Sequence, residues 1–353
     1  MIPFSLLDLI PIIEGGSAPA ALAGALQLAR HAEALGLRRY WVAEHHNMPG
    51  IASAATAVVI GHIAAGTRSI RVGAGGIMLP NHAPLVIAEQ FGTLAALYPD
   101  RIDLGLGRAP GTDAHTVRAL RREPDASERF AADLEELRGY FGAAAAGQPI
   151  RAVPAMEVEV PFWLLGSSTY GAQLAAMLGL PFAFAAHFSP EWLMPALTLY
   201  RRLFRPSAAL QQPYAMVCVN LIAADSEAAA RRLFTSHQLA FIRLRRGRPG
   251  RLPPPVDDIT QLCSAEELAL AQQAMQASFV GSVDTLCESL APFLRVVQPD
   301  ELMAHVMVYD AVARLHSLTL TAQLRERLAA VERESIGASD HSPLRPPADT
   351  HTR

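Results

Sequence analysis

The chain contains no lysine: all thirty of its basic residues are arginine. A Schiff-base lysine and a Walker-type phosphate lysine are therefore excluded. Any phosphate bound here must be held by arginine, hydroxyls or backbone N–H groups. Cysteine is scarce, and Cys218, Cys263 and Cys287 stand too far apart for metal-ligand or redox spacing. They read as incidental thiols in a reducing cytoplasm. Charge is also low, at 18% of residues with a net of -3, which gives no reason to expect nucleic acid or an anionic membrane as partner. Long apolar runs are missing. Residues 52–65 are interrupted by Ser, Thr, Gly and His and are too short for a bilayer, so no membrane span is expected. The start, Met1 to Asp8, carries no basic residue and meets an acid early, unlike a secretion signal. No Gly-x-Gly-x-x-Gly with a downstream acid follows a first strand, and no Gly-x-Ser-x-Gly elbow surrounds Ser167.

What the chain does have is alternation. Its 353 residues are 51% hydrophobic, enough for one large barrel or two ordinary domains. Short β-branched runs bounded by Gly or Pro alternate with longer Ala/Leu runs of helical period. Strands are expected at 4–8, 39–43, 68–75, 102–106, 162–165, 182–185, 214–222 and 301–306. The paired helices are expected at 19–35, 52–65, 85–97, 127–146, 170–178, 191–204, 226–245 and 310–334. Apolar strands each followed by a crossover helix demand a parallel sheet covered on its outer face. Eight such units favour a closed (β/α)8 TIM barrel over an open doubly wound sheet. Two stretches break the rhythm. Residues 245–263, with Pro253-Pro254-Pro255, suit a lid or binding loop inserted after the seventh pair, before a helix at 265–277. Residues 336–353 have no apolar period and read as a disordered tail, leaving 1–335 as one domain.

In such barrels chemistry sits where strands end. Glu44-His45-His46 follows the second strand, Gly75-Gly76 ends the third, Arg108 follows the fourth, and Gly166-Ser167-Ser168 follows the fifth. A zinc reading of the histidine pair lacks i, i+4 spacing and an evident third ligand. A histidine at a barrel mouth suits acid or base work near neutral pH, although one bonded within the rim is the blander alternative. Neighbours on an extended segment point opposite ways, so one of the pair faces the pocket. Arg108 reads either as a rim arginine or as a bidentate phosphate anchor. Ser167 and Ser168 can cap the helix that opens near Tyr170, offer its free N–H groups to a phosphate, or do both.

Several runs together resemble the bacterial luciferase-like family of flavin-dependent monooxygenases over most of residues 1–331. They are Glu44-His45-His46-Asn47-Met48-Pro49-Gly50, Leu79-Pro80-Asn81-His82-Ala83-Pro84-Leu85, Ala88-Glu89-Gln90-Phe91-Gly92-Thr93-Leu94, and the segment from Tyr98 to Gly111. Phe279-Val280-Gly281-Ser282, Asp300-Glu301-Leu302-Met303 and Val308-Tyr309-Asp310 look like the family's C-terminal marks. The resemblance implies a (β/α)8 barrel, often dimeric, here taken as a cytoplasmic homodimer that binds reduced FMN (FMNH2) from a separate flavin reductase. It further implies that O2 adds to form a C4a-peroxyflavin, which oxygenates a small organic substrate. On that reading Gly75 and Gly76 form a non-prolyl cis peptide under the isoalloxazine ring. Arg108, Gly166, Ser167, Ser168 and Tyr170 hold the phosphate end, His45 assists proton transfer, and Glu44 either orients it or contacts the flavin. Met78, His82, Phe188 and Trp192 are candidates for the substrate lining, and no metal is expected. Bacterial luciferase carries a cysteine where this chain has Gly107 and a glutamate where it has Gly166, so the resemblance is to the non-luminescent branch. Two rivals stand beside it: a deazaflavin-dependent hydride-transfer oxidoreductase on the same barrel, and a non-catalytic flavin-binding protein.

Overall fold

The computed structural model describes residues 2–109, 112–123, 125–143 and 147–339, with side chains to residue 333. Its inner layer begins with β1 (Phe4–Asp8), β2 (Arg39–Val42) and β3 (Arg71–Ala74), which β4 (Ile77–Met78) continues. Then come β5 (Ile102–Gly107), β6 (Phe162–Gly166), β7 (Phe182–Ala185), β8 (Ala215–Ala223), β9 (Ser278–Gly281) and β10 (Glu301–His305). The helices are α1 (Ala18–Ala34), α2 (Thr56–Gly66), α3 (Pro84–Leu97), α4 (Ala114–Ala119), α5 (Phe130–Gly139) and α6 (Thr169–Leu178). They continue with α7 (Leu193–Leu203), α8 (Glu227–Arg245), α9 (Ala265–Ala274), α10 (Val283–Val297) and α11 (Ala311–Ser339).

Every strand pairing among these elements is parallel, and β10 bonds both β1 and β8, so the sheet closes. The expected eight-stranded barrel is present. Its closure follows from the pattern of side chains. The outward residues Phe4, Leu6, Tyr40, Val42, Val72, Leu104 and Leu302 pack under the helices. The inward residues Leu7, Trp41, Trp163, Met216 and Met303 fill the barrel's own interior. Apolar residues on both faces leave such strands no stable alternative to full burial. Local signals agree with these bounds. Ser17 caps α1 by accepting from the Ala20 N–H, and Gly36, at φ 69°, ends it where a side chain would be strained.

Three differences from expectation stand out. β9 and α10 form an additional strand–helix unit, with β9 bonded to the far half of β8 beyond the end of β7. Its four residues carry too little periodicity to stand out behind a proline-rich insertion. The fourth expected helix stops at Gly139, short of residue 146. Helix α11 runs to Ser339, so the expected tail begins within it, and residues 340–353 lie outside the described residues. Among the described residues no helix is long and apolar enough to cross a membrane.

Candidate active site

A cleft of about 1140 Å³ opens at the C-terminal ends of the barrel strands. It brings together His45, Gly75, Gly76, Met78, Arg108, Gly166, Ser167, Ser168, Tyr170 and Phe188. These residues come from five different strand ends, which is where a barrel presents side chains that its core does not need. Glu44, His82 and Trp192 are not part of the cleft wall. Trp192 stands 48% exposed on the turn before α7, and Glu44 and His82 face one another behind the cleft.

The Glu44 cluster explains how the mouth is built. Leaving β2, the chain is still extended, so His45 turns to the cleft while Glu44 turns inward and is buried. Its carboxylate accepts from His46 Nε2 at 2.8 Å, His82 Nε2 at 2.9 Å, Asn81 Nδ2 at 3.2 Å and the Met78 N–H at 3.1 Å. Burial alone would raise its pKa, but the bonds from His82, Asn81 and His46 overcome that and hold it below the ordinary value. The cluster thus ties the loops after β2 and β4 together. The ligand-type atoms of Glu44, His46 and His82 lie within 4.8 Å of one another, a grouping that chain order hides, and they are held together by hydrogen bonds of their own.

Between β3 and β4 the Gly75–Gly76 peptide is cis, as the resemblance implied. A Cβ on Gly75 would stand 2.8 Å from Leu7 Cδ1, and one on Gly76 2.7 Å from the Gly105 carbonyl oxygen. Both positions are already filled by neighbouring atoms of the barrel. The glycines are thus required by close packing, and they bring side-chain-free backbone to the cleft wall.

Arg108 follows β5 and lies with its guanidinium 4.2 Å from the Tyr170 ring centroid. Among the described residues it has no carboxylate partner. Stacking fixes the plane of its fork while leaving the N–H edge open. Ser168 occupies the N-cap of α6, yet its hydroxyl makes no capping bond, so hydroxyl and helix N-terminus are both available beside Arg108.

The far wall was not anticipated. His187, two residues past β7, and His305, the last residue of β10, line it with His237 from α8. The first two obey the strand-end rule that picked out Arg108; His237 on a helix carries no such signal. Residues 249, 250 and 252 of the proline-rich insertion also border the cleft. That segment is fastened to the loop after β1, since the Leu252 N–H bonds the Ile12 carbonyl at 2.9 Å and the Glu14 N–H bonds the Leu252 carbonyl at 2.8 Å.

Residues 2–293 match the family model described as luciferase-like monooxygenase. A protein of Escherichia coli strain K12 described in the same words is 55% identical over 328 residues, which are 93% of this chain and 98% of that one. The solved structure of apo-MsnO8 superposes with TM-score 0.84 at 36% identity, spanning 92% of this chain and 99% of the other. The oxygenating constituent of 3,6-diketocamphane monooxygenase, solved with FMN, shares the fold at TM-score 0.67 and 15% identity, spanning 91% and 96%.

Proposed function

The chain belongs to the luciferase-like monooxygenase family, and from that premise we propose that it oxygenates a small organic substrate using FMNH2 delivered by a separate reductase, with O2 as co-substrate. The reduced flavin, when bound, supplies the electrons that activate dioxygen. The residues present fit such a group. Arg108 offers an unpaired, pre-oriented fork to a phosphate, in a chain with no lysine for the task. Ser167, Ser168 and the N-terminus of α6 add hydroxyls and N–H donors to the same anion. The side-chain-free backbone of Gly75 and Gly76 lets a planar ring approach closely. His45, facing the cleft, holds or moves a proton at its ring nitrogen, and the Glu44 bonds to Met78, Asn81, His46 and His82 keep that mouth rigid. Leu7, Ala43, Leu165 and Met307 line the cleft with apolar surface that excludes water from the reacting groups.

The observation that carries this reading is the meeting of Arg108, Ser168 and the Gly75–Gly76 backbone in one cleft. Anaerobic titration with FMNH2 tests it. Arg108→Ala should weaken binding by about 2 kcal/mol, the scale of a charge-assisted hydrogen bond. Unchanged affinity would remove the phosphate anchor from the account. Hydrogen peroxide release after mixing with O2 separates the rivals: with a deazaflavin-dependent hydride-transfer enzyme, or a binder without turnover, FMNH2 releases it as fast as free flavin does, whereas a monooxygenase withholds it.

A further inference from the structure

Among the described residues, five buried side-chain atoms lack a hydrogen-bond partner, and three of them belong to one cluster: His187 Nδ1, His237 Nδ1 and His305 Nε2. The His305 ring lies edge to face with His237 at a centroid distance of 5.1 Å and tilted against His187 at 5.2 Å. All three residues line the cleft, and His305 is 2% exposed. An unanswered buried polar atom costs about 1–3 kcal/mol, and three together at one wall call for an explanation.

The hydrogen bonds decide what these nitrogens are. Asn220 donates its Nδ2 hydrogens to the His187 carbonyl at 2.7 Å and to Ser278 Oγ at 2.9 Å. Its Oδ1 is therefore the atom that meets His305 Nδ1 at 2.9 Å, and it accepts. His305 must then carry its hydrogen on Nδ1, which leaves Nε2 a bare lone pair. Burial, together with the charges of the neighbouring histidines, holds its pKa well below the ordinary value, so the ring stays neutral. His187 is similar. Burial pushes it down to about 3 against a bond to the Cys218 backbone that favours the charged form. A bond of that sign is donated by the ring to a carbonyl, so Nδ1 is again the lone pair. Two acceptors with nothing to accept thus stand side by side. Metal binding is an inferior account, because among the described residues the donor atoms close enough for an ion are those of Glu44, His46 and His82.

We propose that the His187–His237–His305 wall is a subsite for a neutral hydrogen-bond donor on the substrate, a hydroxyl or an amide N–H, and that it disfavours carboxylates. The inference rests on the cleft being the substrate chamber of the monooxygenase reading. A donor seated against the rings satisfies the lone pairs, whereas an anion meets two lone pairs in a dry wall and finds no proton there.

Long-range proton–nitrogen spectra of the full-length, flavin-free protein with nitrogen-labelled histidines provide the test, using 1-hexanol, hexanamide and hexanoate as probes. His305 is expected as the Nδ1–H tautomer, and hexanol and hexanamide are expected to shift its Nε2 resonance. They should bind about tenfold more tightly than hexanoate, the worth of one good hydrogen bond. His305→Phe should abolish that preference while keeping affinity for FMNH2; His187→Phe serves the same purpose if the first variant does not fold. An Nε2–H tautomer, no shift with any of the three probes, equal binding of hexanoate, or a preference that survives in the variants would each overturn the proposal. Failure of FMNH2 to bind the wild-type protein would instead count against the flavin reading and leave these spectra standing.

Discussion

The two ends of this barrel treat buried polar groups in opposite ways. At the N-terminal end, Arg39 is 4% exposed and bonds Asp103 and Glu301, each at 2.8 Å. Asp103 also accepts from Arg71 at 2.6 Å and from Trp41 Nε1 at 3.1 Å, and Glu301 from Ser5 and from Tyr214 at 2.9 Å. Burial alone would lower the Arg39 pKa, yet the facing carboxylates raise it. At the C-terminal end Glu44 is satisfied, but among the described residues Arg108 is stacked without a carboxylate partner, the Ser168 hydroxyl makes no capping bond, and three histidine nitrogens have no partner. An end whose polar groups satisfy one another closes the barrel. An end whose polar groups wait for partners is where a ligand gains free energy by arriving.

Three changes would break or sharpen this contrast. The largest effect is expected at the closed end. Arg39→Met takes the shared cation from two buried carboxylates and should lower stability by roughly 3–5 kcal/mol in urea unfolding. A loss below about 1 kcal/mol would show that the network contributes little. Next, Gly76→Ala places a methyl 2.7 Å from the Gly105 carbonyl oxygen, so overpacking should cost about 1–3 kcal/mol of stability as well as disturb the cleft backbone. A variant as stable as the parent would mean that the β4–β5 contact yields easily.

The third change concerns pH at the open end. Burial holds His237 at about 4 against an ordinary 6.5. A group depressed on folding takes its proton first in the unfolded chain, so acidification from pH 6.5 toward 4 favours unfolding. The contribution approaches about 1.4 kcal/mol per pH unit for each such group. His237→Phe should flatten the stability profile in that window by one group's share. A profile identical to the parent's would show that this histidine titrates normally.

Much of the site was legible because it obeys a local rule. Gly75, Gly76, Arg108 and Ser168 each follow a strand directly, and a barrel's geometry carries all strand ends to one mouth. His82 shows where that rule stops. It was expected in the substrate wall, but its imidazole is held by Glu44, 38 positions earlier, behind the cleft. Trp192 likewise stays out of the wall although its neighbours Pro190 and Glu191 line it, and nothing in the local periodicity distinguishes the three. The β9–α10 unit was hidden by its short strand, which is recognisable once β8 is seen to extend beyond β7.

Periodicity in the chain determined the eight strand–helix units, their parallel closure and the residues at each strand end, because these depend on near neighbours and on which faces must be buried. The absence of lysine likewise determined in advance that any phosphate would meet arginine, hydroxyls or backbone N–H groups. Tertiary structure alone decided which way each side chain at the mouth turned, which histidines were satisfied, and which tautomer His305 adopts. Those outcomes depend on hydrogen bonds between positions far apart in the chain, such as Asn220 with His305 and Glu44 with His82, and no local pattern records them.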